Sequence, residues 1–405
     1  MHANGHRAAM ILTLGLLLIG GLGGQLRAAP ITQGNIPLDG PLLALNTPEQ
    51  DQIVLYDLGS GARRSLRLGD GWQRIWAFSP DGCRLLYTLS DGVGPARLYS
   101  ATLDGADVRE LVDFSGLPAG TWGVWEPTWS PAAEDGSSRI AFTLIRAETL
   151  PDGTVTDEHR IAWVGPGGGA PQFYSVSGDE HTARWSPDGQ WLAYVAYESR
   201  VAGADIYSTA VPTPPGSSGP AALLREADLW MTRADGSAKL RLTNFATGSV
   251  SMPRWSPDGT VIGFVYSPSG NNDQFWMIGS SEGAIPTQLS FQPALALDLT
   301  WLPDGSAMIA AARDLRGVAE NRLWRIPLIG NADADATIYL DDPALSYADY
   351  PRFSPDGGWL ALRTSYALAL ADVSSGAWQL RDDLPIENTP AVWSPAAFAG
   401  EAACR

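Results

Sequence analysis

Cysteine is nearly absent, with only Cys83 and Cys404 in 405 residues. That excludes a disulfide-rich scaffold, which needs several bridges to replace a core. Histidine is almost as rare, at four residues. Two of them, His2 and His6, stand at the very start, so only His159 and His181 remain for the body of the chain. Neither has a metal-ligand neighbour at useful sequence spacing, so no metal site and no cofactor are expected. Charge is sparse (18%) and one-sided, with 27 Lys and Arg against 44 Asp and Glu, a formal net charge of −17. An acidic body repels phosphate backbones and anionic lipid surfaces, which argues against nucleic acid and peripheral membrane partners. Long apolar runs are missing everywhere except near the beginning, so no later segment is expected to span a bilayer.

That one run, Met10 to Ile19, follows His2, His6 and Arg7 and precedes Leu26-Arg27-Ala28. A weakly positive start, an apolar stretch and small residues near a cleavage point read as a secretory signal over residues 1–28. Cleavage is favoured over retention as an anchor helix. Residues 29–40 then form a short leader, and 41–405 one folded domain. Without residues 1–28 the chain loses two arginines and no acid, so the net charge moves from −17 to −19. The protein is therefore expected to be exported, to the periplasm, the cell surface or the medium.

What the chain has in quantity is glycine (44), proline (30) and a recurring tetrapeptide. Ser-Pro-Asp-Gly follows an aromatic at Phe78, Trp185, Trp255 and Phe353, and weaker copies follow Trp129, Trp301 and Trp393. Copies spaced at tens of residues signal an array of like units, here a propeller. In each unit a strand ends at the aromatic. Proline presets φ for the turn, Asp bonds the local backbone and Gly takes the positive φ. An apolar strand follows, such as Trp191–Ala196 or Val261–Tyr266, then a strand with a central aromatic (Tyr99, Trp163, Trp230, Trp276, Trp324), then a short polar strand such as Lys239–Thr243. Such a sheet has two apolar faces, and stacking sheets around an axis covers both while leaving only short outer edges. The aromatic before Ser-Pro is read as a wedge between sheets.

The chain ends in a first strand, Pro390–Trp393, and begins with strands at Pro41–Leu45, Ile53–Asp57 and Ala62–Leu66 that would complete that blade. The expectation is an all-β, seven-bladed β-propeller of four-stranded antiparallel blades closed by pairing of the N- and C-terminal strands, with six blades as the alternative. Ser-Pro-Asp-Gly turns should share one face. Cys83 follows the first of them and Cys404 lies in the tail one blade away, which suggests a disulfide across the closure. Two unpaired thiols remain the other reading.

Loops on the opposite face are enlarged at Arg146–Asp157 and at about Glu198–Leu224, the latter rich in Pro, Gly and Ser. Loops of that length in a compact domain are functional or disordered. The channel mouth on that face should carry the residues three or four places before each wedge aromatic. Among them Arg74, Trp125, Glu126, His181, Asp298, Asp349 and Tyr350 are the candidate binding residues, a set that could receive a cation or a basic peptide. Three look-alike motifs are read as turns. Gly279-Ser-Ser-Glu-Gly283 has no downstream histidine or strand-to-helix context for a nucleophile. Gly165–Ala170 is followed by a strand rather than a dinucleotide-binding helix. Asn331–Ala336 lacks the central Gly and distal Glu of a helix–loop–helix calcium site.

The repeats resemble the TolB-type propeller, whose hallmark is the aromatic-Ser-Pro-Asp-Gly turn before a hydrophobic strand. The resemblance covers about residues 41–397 and is clearest over Trp185–Thr243 and Trp255–Ser290. It implies the fold and, because a fold does not fix an activity, no particular function. The Tol-system protein and the prolyl-oligopeptidase-type peptidases carry a further domain that is not expected here. With no nucleophile–base pair in view, the chain is read as a non-catalytic exported binding module. It would recognise a protein or peptide through its loop-rich face and channel mouth. The alternative is a lyase or hydrolase acting on a glycan or glycoside with Glu126, Asp298 and Asp349 as its carboxylates.

Overall fold

The computed structural model describes residues 37–92, 94–149, 155–174, 179–201, 223–245, 247–268, 272–364 and 367–404, all within the compact unit Ile36–Arg405. The signal and residues 29–36 of the leader lie outside the described residues, as do 150–154 of the first enlarged loop and 202–222 of the second. Among the described residues no helix is long and apolar enough to cross a membrane.

The fold is a β-propeller. Ser-Pro-Asp-Gly makes the turns the sequence implies, through one repeated hydrogen-bond set. At the first copy the Gly82 amide donates to the Ser79 carbonyl at 2.8 Å, and the Arg84 amide to the Ser79 hydroxyl at 2.8 Å. The Ser79 hydroxyl donates to Asp81, which also accepts from the Cys83 amide at 3.0 Å. Serine and aspartate thus satisfy the loop's own donors, and Gly82 takes φ 76°. A side chain there would also strike the ring of Phe398, 2.7 Å from the position of its Cβ. The copy after Trp129, which has lost Asp-Gly, closes by a longer loop in which the Arg139 amide reaches the Ser130 hydroxyl at 2.9 Å.

The wedge aromatics are half-buried or buried, and four of the five tryptophans also tie successive inner strands together. The indole N–H of Trp255 donates to the Arg184 carbonyl, that of Trp301 to Arg254 and that of Trp393 to Arg352, each at 2.9 Å. The acceptor is always the residue just before the preceding wedge aromatic. The innermost strands, Trp72–Phe78, Thr121–Trp129, Asp179–Trp185, Ser249–Trp255, Leu295–Trp301, Ala348–Phe353 and Val392–Trp393, touch in succession, and the last touches the first, so they enclose a channel.

The expectation of seven four-stranded blades, or of six, needs correction. The described strands form five four-stranded blades and one eight-stranded sheet that spans Asp179–Gln288. The cause is Leu223–Arg233, which is paired along all 11 residues with Trp191–Val201 but is covered by Lys239–Arg241 only at Trp230–Thr232 on its other edge. Its Ala227 pairs in parallel with Ser249, with the Ala227 amide donating to the Gly248 carbonyl at 3.3 Å. Copies of a turn motif count hairpins, whereas sheets are counted by their ladders, and here one parallel bridge merges two sets of strands.

The chain ends meet in one of the four-stranded blades. Leu43 and Ala44 pair with Trp393 and Val392, with Leu42–Asn46, Ile53–Asp57 and Arg63–Leu66 completing the sheet. Cys83 and Cys404 are joined, with sulfurs 2.00 Å and Cα atoms 5.3 Å apart.

Candidate functional site at the channel mouth

Six of the seven inner strands are interrupted by a register shift ahead of the wedge aromatic, for example between Trp125 and Thr128, His181 and Arg184, Ser251 and Arg254, and Asp349 and Arg352. Glu126, Thr182, Met252 and Tyr350 sit in these bulges with φ of 47°, 59°, 53° and 49°. A non-glycine residue in that region is held by its surroundings, and bulges re-aim the side chains beside them. The candidate residues chosen by their distance from the wedge are therefore those at or next to the bulges.

The structure does not leave the mouth acids free. Asp298 is buried between two cations, with Arg254 at 2.8 Å and Arg352 at 2.6 Å. Burial pushes its carboxyl up, but Arg352 and Arg254 overcome that and hold it below the usual range. Burial pushes the Arg254 guanidinium down to about 10 in spite of Asp298. Asp349 is gripped by Arg363 along one guanidinium edge, with Nε donating to Oδ1 at 2.7 Å and Nη2 donating to Oδ2. Here desolvation wins and the Asp349 carboxyl lies above its ordinary value. Glu126 is half-buried, 3.6 Å from Arg184. Arg74 lies 4.1 Å from the Trp76 ring and 5.1 Å from the Trp125 ring, which meet edge to face at 5.7 Å. Burial lowers the Arg74 pKa, opposed by Glu126 and Glu387. Tyr350 is raised by burial and by Asp349, with Arg363 5.6 Å from its ring.

Two consequences follow for the chemistry. A two-carboxylate mechanism needs one acid free to donate a proton and another free to attack or to activate water. Asp298 and Asp349 are instead hydrogen-bonded to arginines, and Glu126 stands near a third, Arg184. The cation pocket suggested by the acids is likewise occupied by the protein's own guanidinium groups. What remains open is apolar and aromatic. Trp72, Trp125, Phe291, Leu297 and Tyr347 are exposed, and all lie in or just ahead of inner strands, on the side away from the Ser-Pro-Asp-Gly turns. A cleft of about 720 Å³ opens there between Leu297, Tyr347, Asp349 and Arg363.

His181 joins a different group. Asp179 and His181 are two apart on one strand and so share a face. His159 reaches them from Val155–Val164 of the neighbouring sheet. The Asp179 Oδ1 lies 3.0 Å from His159 Nδ1 and 2.5 Å from His181 Nε2. Sequence spacing had given neither histidine a ligand neighbour; the fold gives both the same one, because residues 20 apart in the chain become adjacent across two sheets. Sequence reasoning also missed the arginines before the wedge aromatics, Arg184, Arg254 and Arg352. Their signal, Arg-aromatic-Ser-Pro-Asp-Gly, is legible in three copies of the repeat.

No family model matches the chain. A stretch of 148 residues is 27% identical to an uncharacterized protein of Agrobacterium fabrum, covering 36% of this chain and 47% of that protein. The chain thus spans about half the length of the curated relative it matches. Similar solved structures include a puromycin-hydrolyzing peptidase of Mycobacterium tuberculosis, 14% identical, covering 84% of this chain and 52% of the other, TM-score 0.53. An oligogalacturonate lyase of Vibrio parahaemolyticus is 13% identical over 84% and 86% of the two chains, TM-score 0.51. TolB of Acinetobacter baumannii is 16% identical over 88% and 67%, TM-score 0.44. TolB proteins thus stand among the structural neighbours, and the fold is the β-propeller that the repeats resemble.

Proposed function

We propose that this protein is an exported, non-catalytic binding module that receives a protein or peptide segment at the mouth of its channel. The observation that carries the reading is the exposed pair Leu297 and Tyr347, which line the cleft at that mouth, together with the exposed Trp125 beside Arg74. Scattered apolar side chains are ordinary on a surface, but apolar side chains lining a cleft beside charged ones are characteristic of a recognition site. Rigid aromatic anchors contribute most to such recognition because little conformational freedom is lost on burying them. Arg74, held between Trp76 and Trp125, supplies a cation for an acidic or carbonyl group of the bound segment. The pairing of Glu126, Asp298 and Asp349 with arginines favours binding over two-carboxylate catalysis.

The test is capture of a partner from the envelope fraction of the source cells, compared between the wild type and Trp125→Ala/Tyr347→Ala. Truncating two such anchors is expected to reduce capture at least about tenfold. A partner held equally by the variant would move the site elsewhere, and a wild type that captures nothing would remove the reading.

A further inference from the structure

We propose that His159, Asp179 and His181 form a binding site for a divalent ion of the zinc type. The three half-buried side chains bring one ligand atom each to within 4.8 Å of one another. Their imidazole rings are 4.4 Å apart, centroid to centroid, and both present a nitrogen to the same oxygen of Asp179. That sharing is what a metal centre looks like when a hydrogen occupies the ion's place. Ligand atoms bound at about 2.1 Å stand about 3.4 Å apart around a tetrahedral ion. The Asp179 contacts of 3.0 and 2.5 Å need to open by less than about 1 Å to admit one.

The donor set selects the ion. Two imidazoles and one carboxylate suit zinc and its first-row neighbours, whereas calcium and magnesium prefer all-oxygen cages. Both cysteines are consumed in the Cys83–Cys404 bridge, so no thiolate competes. Three protein ligands leave at least one coordination position for water or for an anionic group of a ligand, the arrangement of open rather than closed zinc sites. The histidines are reachable, with 14% and 27% of their side-chain surfaces exposed. The fold also fixes the geometry. Asp179 and His181 pair with Tyr197 and Val195, His159 with Ile145, and the Tyr197 ring stands edge-on to His181 at 5.3 Å. An ion here would bridge two sheets, so binding it should also stabilise the fold, since it favours the native state by mass action.

The experiment uses the full untagged chain, stripped with EDTA, then titrated with Co2+ and with Zn2+. One equivalent of Co2+ with a visible absorption band, displaced by Zn2+, and a higher Tm with Zn2+ than without are expected. Asp179→Asn and His159→Gln should each weaken binding at least about 100-fold and abolish the Tm shift. His181→Gln serves where either variant has lost its native circular dichroism spectrum. No Co2+ band in the wild type, or equal binding by the folded variants, would overturn the site and leave a purely hydrogen-bonded His–Asp–His cluster. Neither result bears on the aromatic mouth, whose test reads partner capture.

Discussion

Asp298 is the residue on which the charge balance of the channel turns. It is nearly inaccessible and meets two arginines, themselves largely enclosed. Removing one member of such a buried group leaves the others desolvated without compensation, at a cost of about 3–5 kcal/mol. Asp298→Ala is therefore expected to lower stability by that order in denaturant unfolding, and a loss below about 1 kcal/mol would show that the arginines relax into water. The two buried acids should also titrate on opposite sides of an ordinary aspartate. The folded pKa of Asp298 is depressed, so its contribution is fully present above the unfolded value of about 3.9 and is lost as pH falls through the folded value. That of Asp349 is raised, so its protonated form favours the native state and this contribution declines as pH rises from the unfolded value through the folded one. Carboxyl NMR titration should show Asp298 titrating below Asp349, and the reverse order would refute the assignment. At this scale the candidate residues were legible from their distance to the wedge aromatics. Their partners were not, because Arg363, Arg184, Arg254 and Arg352 arrive from adjacent strands at separations set by blade geometry. The meeting of His159 with Asp179 and His181 was hidden for the same reason.

The repeated element is a strand that bulges and then ends in a tight turn. Its turn was readable in the sequence because serine, proline, aspartate and glycine each perform a local task, within five residues of one another. Its bulge was not, because Glu126, Thr182, Met252 and Tyr350 share no side-chain chemistry and yet all take positive φ. The number of separate sheets was unreadable for a related reason: the single parallel bridge between Ala227 and Ser249 depends on how far one strand runs on. Backbone held at positive φ by an L-residue costs about 1–2 kcal/mol, most for a β-branched side chain. Thr182, at φ 59°, is the test position. Thr182→Ala keeps the Cβ that causes the strain, and Thr182→Gly removes it. The glycine variant should be more stable than the alanine variant by about 1 kcal/mol, the opposite of their order within an ordinary strand. Equal stabilities would mean that the bulge relaxes when the side chain changes.

The whole molecule depends on how its ends are held. Only two residue pairs of backbone ladder join Leu43 and Ala44 to Trp393 and Val392. Around them the structure adds side-chain ties. The Leu42 amide donates to the Ser394 hydroxyl at 2.9 Å, and Arg64 grips Glu401 through two contacts of 2.8 and 2.9 Å. The Cys83–Cys404 bridge joins residues 321 apart, across nearly the whole described chain. A link over so long a loop restricts the unfolded ensemble strongly, and the usual range for a native disulfide is about 2–5 kcal/mol. Its second effect is mechanical: the terminal strand can leave the ring only by carrying its tail away from the first turn, which the bridge prevents. Cys83→Ser/Cys404→Ser should therefore keep the folded spectrum, lower the unfolding free energy by an amount in that range and move the denaturant midpoint down accordingly. Hydrogen exchange should rise first at Leu42–Asn46 and Val392–Trp393 before it rises in the blade Thr121–Phe173. A midpoint unchanged by the double substitution would show that the strand pairing and the Arg64–Glu401 contact close the ring by themselves.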